Sequence, residues 1–275
     1  MVGVVTDSAA NLPEDLAREL AIQVVPLLLK FGQSVYRDGV DLTPSHFYER
    51  LVTGGEAAST AAPSPGDFQE AFERTGQEEV VCVTVNSTMS SSQQQAILAA
   101  ERFSGRVAFV DSKSASMGEG FVAVEAARRA ARGDDLEVVE ARANEIAERT
   151  RLFAMVETFE FLRKSGRVTK LQAYAATMLD IKPVFGFKRG EVIPVARSRT
   201  RRRAVAKIVE ETLRELGERP AHLAVIHAAA EDDATEIEKH LLDRANVVES
   251  FVLPVTPVIG AHTGPRLVGT AFYSD

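Results

Sequence analysis

Short apolar, β-branched runs alternate with amphipathic stretches along the first half of the chain. Residues 80–85, Val-Val-Cys-Val-Thr-Val, read as a buried strand. They pass through a turn crowded with hydroxyls into a helix-forming run that begins near Gln93. Residues 2–5, 22–29 and 106–110 have the same apolar character and predict three more strands. Leu12, Leu16 and Leu20 share one helix face, with Asn11 as its cap and Pro13 in its first turn. Thr43-Pro44 starts a helix carrying Phe47 and Leu51, broken at Gly54-Gly55. Ser64-Pro65 caps one carrying Phe68 and Phe72, and Gly118 and Gly120 open another that runs to Arg132. Residues 31–41 and 57–65 read as turn and loop. This alternation predicts a parallel sheet covered on both faces, whose ligands bind beyond the carboxyl ends of the strands. Polar residues cluster at those ends: Thr6-Asp7-Ser8, residues 86–92, and Asp111-Ser112.

After Gly133 the pattern changes. Residues 136–150 form a charged amphipathic helix, 152–156 a strand, and 158–164 and 169–179 helices. Residues 182–195 read as two strands joined at Lys188-Arg189-Gly190, a hairpin. A helix over 200–217, strands over 221–227, 247–252 and 267–273, and a helix ending at Leu242 complete the chain. The fold class is α/β in two domains. Residues 1–150 carry a parallel sheet flanked by helices; residues 151–275 carry a mixed sheet with helices.

With 275 residues the chain suits two cores better than one. The net charge of −7 argues against nucleic acid as a partner. The single cysteine, Cys82, lies in an apolar strand, which excludes an internal disulfide or a cysteine-built metal site and fits a reducing cytoplasm. The five histidines show no metal-ligand spacing. Asp7 follows the start almost at once, unlike a signal peptide, and no apolar run approaches the ~20 residues of a membrane span.

The candidate chemistry lies in the turn Ser87-Thr88-Met89-Ser90-Ser91-Ser92. A strand that turns sharply into a helix leaves that helix's first N–H groups without partners, and with the helix dipole they suit a carboxylate or phosphate. Ser90 or Ser91 as a plain helix cap is the competing reading.

Several stretches together resemble the DegV family of bacterial fatty-acid-binding proteins. They are Val5-Thr6-Asp7-Ser8; Tyr36-Arg37-Asp38-Gly39-Val40 with Phe47-Tyr48; Thr60 with Pro63-Ser64-Pro65 and Phe68; the turn at Ser90; and Asp111-Ser112 with Ser116, Gly118 and Gly120. Leu162-Arg163-Lys164-Ser165-Gly166-Arg167, Ile181-Lys182-Pro183 and Gly260-Ala261-His262-Thr263-Gly264-Pro265 continue the series. The resemblance implies a non-catalytic carrier that holds one long-chain fatty acid, its chain in an apolar tunnel and its carboxylate near the domain junction. Thr60, Ser90 and His262 match the family's carboxylate-binding positions, with Ser91, Thr263 and Gly264 beside them. The carrier would present the carboxyl to a separate kinase subunit, giving an acyl phosphate for phospholipid synthesis, with no cofactor of its own. A methylene moved into an apolar tunnel contributes about 0.8 kcal/mol, so ~14 of them give on the order of 11 kcal/mol gross. A charge-assisted hydrogen bond nets about 1.5–3 kcal/mol. The chain should therefore dominate affinity and the polar trio should set orientation. Phe159, Phe161, Leu27 and Ile259 are tunnel or core, core being the safer assignment. Departures from the family pattern are Ser91-Ser92-Gln93 after the key serine, Ser165 before Gly166-Arg167, and Arg266 after Pro265.

Arg197, Arg199, Arg201, Arg202 and Arg203 fall within seven residues. Such a run is commonly a solvated face. The functional reading is a docking patch, Arg201 and Arg202 with Arg167, for an acidic partner, by resemblance the kinase subunit, with transient contact to an anionic membrane surface as an addition. The rival function is a serine esterase or acyltransferase using Ser90 as nucleophile and His262 as base, although no Gly-x-Ser-x-Gly elbow surrounds Ser90.

Overall fold

The computed structural model describes residues 1–53, 58–167 and 181–275. Its first sheet is parallel. Strand β1 (Val2–Asp7) lies between β2 (Ile22–Val25) and β6 (Glu79–Thr84), and β7 (Arg106–Asp111) follows at the edge. One face of this sheet, Val5, Val80 and Cys82, packs on α3 (Pro65–Arg74) and α4 (Ser92–Ala100) through Phe68, Phe72, Ala96 and Ala99. The other face, Val2, Val4, Val81, Val83 and Val110, packs on α5 (Met117–Ala131) and α6 (Leu136–Arg149). The period-2 alternation of the strands decides which side chain meets which layer.

The second sheet has six strands and is mixed. In spatial order they are β10 (Glu191–Ser198), β9 (Lys182–Lys188), β8 (Arg151–Met155), β13 (Val268–Ser274), β11 (Ala221–His227) and β12 (Val247–Pro254). Only the β11–β12 pair is parallel. Its outer face, with Phe153, Met155, Leu223, Val225 and Phe272, is covered by α8 (Arg201–Leu216) and α9 (Glu231–Leu242). Its inner face, with Leu152, Ala154, Phe185, Phe187, Ile226 and Ala271, joins the same core as the first sheet. Helix α5 is buried along nearly its whole length because a sheet lies on either side of it.

Three expectations need correction. Residues 22–29 do not form one strand: Pro26 and Leu27 separate β2 from β3 (Leu28–Phe31), which leaves the parallel sheet. Strand β3 instead pairs antiparallel with β4 (Ser34–Arg37) and β5 (Ala58–Ala61), both inside stretches read as turn and loop. Asn11 does not cap the following helix. It sits at φ +56° after the 3-10 turn Ser8–Ala10, and α1 (Glu14–Glu19) starts behind Pro13. The break expected at Gly54-Gly55 after α2 (Pro44–Thr53) and the helix expected over 169–179 lie outside the described residues. The helix expected over 158–164 is α7 (Glu160–Ser165).

Candidate functional site

The C-terminal ends of β1, β6 and β7 face a cavity of about 740 Å³ between the two sheets. Its apolar wall comes from Leu152, Ala154, Phe185, Phe187 and Ile226 of the second sheet, with Leu27, Val85, Val258 and Ile259. Leu27 is both core and cavity wall, Ile259 is wall packed against the core, Phe159 belongs to the core, and Phe161 lies beside Gly264. Polar lining groups are Thr60, Ser87, Thr88, Ser90, Ser91, Gln94, Ser116, Arg167, His262 and Thr263.

His262 lies on a helix, not in the loop its flanking glycines suggest. That helix is α10 (Pro257–Thr263), with Pro257 at its first position, where the missing N–H does no harm. Two donors at its start are satisfied from the N-terminal half: Thr256 N donates to Asn11 Oδ1 at 2.7 Å and Val258 N to Asp38 Oδ1 at 3.0 Å. Gly260 lets α10 lie against α2; a Cβ there would sit 2.5 Å from Tyr48 Oη and 2.6 Å from the Phe47 ring. Thr60 lies on β5, opposite Leu29 of β3. These supports bring Thr60 Oγ1 to 2.7 Å from His262 Nε2. Burial first, and then the nearby charge of Arg167, lower the His262 pKa to about 4, so its imidazole is neutral near pH 7. An anion alongside it would raise that value again.

The hydroxyl turn is built by side chains behind it. Asp7 accepts from Ala9 N and Val85 N, and Asp111 accepts from Ser87 N, Ser87 Oγ and Lys113 N. Asn86 Oδ1 accepts from Thr88 N and Oγ1, and Asn86 Nδ2 donates to Gly190 O of the β9–β10 hairpin. Ser91 is the residue that caps α4, with no hydrogen bond from its own side chain. Ser90 Oγ bonds with Ser92 Oγ at 3.0 Å and accepts from Ser92 N. Asp7 is fully buried and desolvation lifts its pKa to about 6, while Glu119, hydrogen-bonded from Thr6 Oγ1, is pushed well above the carboxylate range. Asp7, Asp38, Asn86 and Asn11 were not read from the sequence as positioning groups. The available signal was a polar residue at the end of each apolar run.

The structure sorts the remaining sequence candidates. Thr263 lines the cavity, but its hydroxyl already donates to Ile259 O at 3.0 Å. Gly264 terminates α10 at φ +75°, and a Cβ there would meet the Phe161 ring at 2.3 Å, so its role is to let the chain turn. Arg167 is exposed at the cavity, with Nη1 donating to Ser165 O. Arg201 is not on a free surface: its side chain is 15% exposed, and it binds Asp233 at 2.6 Å, Glu157 at 3.0 Å and Arg266 O at 2.7 Å. Arg202 is exposed. The esterase reading is not supported, since His262 Nε2 takes Thr60 and the Ser90 hydroxyl takes Ser92. Among the described residues no group of three or more His, Cys, Asp or Glu is placed to hold a metal, and no helix is long and apolar enough to cross a membrane.

Residues 1–275 match the family described as uncharacterised protein, DegV family. A DegV domain-containing protein of Mycobacterium bovis is 35% identical over 269 residues, covering 98% of this chain and 95% of that protein. A DegV family protein from Thermus thermophilus, described for its fatty acid binding, superposes with a TM-score of 0.93 at 31% identity over 100% of this chain and 99% of that one. DegV of Bacillus subtilis, described as a fatty acid binding protein, gives 0.89 at 26% identity over 100% and 99%. The layer order, the cavity at the carboxyl ends of β1, β6 and β7, and these whole-length likenesses place the chain in the DegV family.

Proposed function

We propose that the protein carries one long-chain fatty acid, with its alkyl chain in the 740 Å³ cavity and its carboxylate against Thr60, Ser90 and His262. The observation that carries this reading is the apolar wall and the Thr60–His262 pair within one cavity. The fatty acid binding described for the Thermus thermophilus and Bacillus subtilis relatives supports it. Apolar burial supplies affinity, about 0.8 kcal/mol per methylene, and the hydroxyls and imidazole fix which end faces outward. The N-terminus of α4, whose first N–H is already taken by Ser90 Oγ, adds a positive dipole end beside that serine. The carrier has no cofactor, works in the cytoplasm with transient contact to the membrane surface, and presents the carboxyl to a separate kinase subunit. Arg167 and Arg202 form the docking charges, because Arg201 is engaged internally.

Native mass spectrometry followed by denaturation and lipid analysis tests the first part. A single fatty acid released on unfolding is the expected result; a bare mass unmoved by added hexadecanoate or octadecenoate overturns it. For the second part, an ATP-dependent kinase subunit should form acyl phosphate, trapped as the hydroxamate, and Arg202→Glu should slow that step without weakening lipid binding. Equal loss of both would sink the docking assignment.

A further inference from the structure

Ser116 belongs to a different connection from the carboxylate-binding groups. It lies in the β7–α5 connection, lines the cavity, and is 1% exposed. Its hydroxyl has no hydrogen-bond partner among the described residues. A serine before a helix ordinarily turns its oxygen onto the second or third N–H of that helix. Here those donors are taken by backbone: Gly118 N donates to Ala115 O at 3.1 Å, and Glu119 N and Gly120 N donate to Ser116 O at 2.8 and 3.0 Å. The hydroxyl is therefore not needed as a cap and makes no such bond. Ser116 also sits at φ +53°, ψ −148°, a region where glycine alone is comfortable. The conformation gives no reason for a side chain at this position. Ala115, its neighbour, packs with Ala9, Leu27, Val85 and Val258, so the chain on that side of Ser116 is set in apolar packing. A buried hydroxyl without a partner is unfavourable, and a site that holds one selects for a ligand that supplies the missing bond.

We propose that Ser116 is a second polar subsite of the cavity, which recognises an oxygen on the acyl chain itself, as in a hydroxy or oxo fatty acid. This rests on the fatty acid reading of the same cavity. The carboxylate stays with Thr60, Ser90 and His262. The Ser116 hydroxyl donates to, or accepts from, the oxygen carried along the chain, and it rotates to suit either.

The test measures displacement of a fluorescent fatty acid by hexadecanoate and by a series of hydroxyhexadecanoates with the hydroxyl at successive carbons. Wild type should prefer one isomer, or two adjacent ones, over the rest and over hexadecanoate by about tenfold. Ser116→Ala, and Ser116→Gly as a variant that also relieves the backbone, should lose that preference and keep hexadecanoate binding. Uniform binding of all isomers by wild type overturns the proposal and leaves the carrier reading intact. Equal loss of every ligand in both variants, with an unchanged melting temperature, would assign Ser116 to the carboxylate and also overturn it. Failure of wild type to bind any fatty acid removes both readings together.

Discussion

Thr60 Oγ1 and His262 Nε2 lie 2.7 Å apart although 202 residues separate them in the chain. The pair joins β5, of the small three-stranded sheet, to α10, which returns from the second sheet to pack on β5 and α2. Acting on one carboxylate, the two residues should behave as a unit. Thr60→Val and His262→Ala should each weaken hexadecanoate binding by about 1.5–3 kcal/mol, roughly 10- to 150-fold. The double variant should lose much less than the sum. Calorimetric titration of all four proteins checks this, and strict additivity would show that the two side chains act separately.

The protonation of His262 gives a second check. Its folded pKa is lowered to about 4 from 6.5, so its contribution to stability is present above pH 6.5 and is lost as pH falls through about 4. The imidazole resonance of the ligand-free protein should titrate near 4 by NMR. A fatty acid bound as proposed would place an anion beside the ring and should move that midpoint upward, with proton uptake. A free-state midpoint at 6.5 contradicts the buried, Arg167-flanked environment.

Asp38 titrates with the opposite sign. Burial lifts its pKa to about 6, against hydrogen bonds from Ser8 and Val258 N that pull it down. The native state then holds the proton more tightly than the unfolded chain. Its stabilisation is complete below pH 3.8 and is lost as pH rises through about 6. Asp38→Asn does not titrate. The stability difference between variant and wild type should shift in the variant's favour between pH 4 and pH 7, by up to about 3 kcal/mol. Urea denaturation at several pH values measures it; a pH-independent difference would place the Asp38 midpoint elsewhere.

Gly260 is where α10 meets α2. Gly260→Ala puts a methyl group against Tyr48 Oη and the Phe47 ring, which are fixed in the core. Overpacking of this kind costs about 1–3 kcal/mol. Because α10 must retreat, His262 should also move from Thr60, so fatty acid affinity should fall together with the urea midpoint. A full-affinity Gly260→Ala protein would show that α10 adapts without moving its histidine.

The arginine run divides in two. Arg201→Glu should lower stability by about 1–3 kcal/mol, because Asp233 and Glu157 lose their shared cation. Arg202→Glu should leave the melting temperature unchanged, since its side chain is exposed. Thermal denaturation of the two variants side by side distinguishes them.

The two sheets were legible in the sequence because their strands are dense in β-branched and aromatic residues, and residues 221–227 were bounded to the residue. The small sheet was not legible. Ala58-Ser59-Thr60-Ala61 has no apolar run, and Ser34-Val35-Tyr36-Arg37 is largely exposed; both become strands only because β3 lies between them. Helix α10 was hidden for a related reason. Gly260 reads as a helix breaker, and its tolerance depends on the close approach of Phe47 and Tyr48, more than 200 residues earlier. Thr60 and His262 came from a resemblance, since neither residue's surroundings in sequence place it at a cavity. Arg201 and Arg202 are adjacent and chemically alike, and only the positions of Glu157 and Asp233 separate a structural cation from an exposed one.

The cavity takes one wall from the second sheet and the rest from connections of the N-terminal half, so neither half of the chain encloses a ligand by itself. Occupancy and folding then share one equilibrium. A ligand at a hundredfold excess over its Kd adds about 2.7 kcal/mol to the folded state by mass action, a large fraction of what holds a typical protein together. Proteolysis samples opened molecules, so chains emptied by a shortage of lipid should be cleared faster than loaded ones. If the proposed function holds, the abundance of the protein would follow the supply of its lipid through turnover alone, without a dedicated sensor.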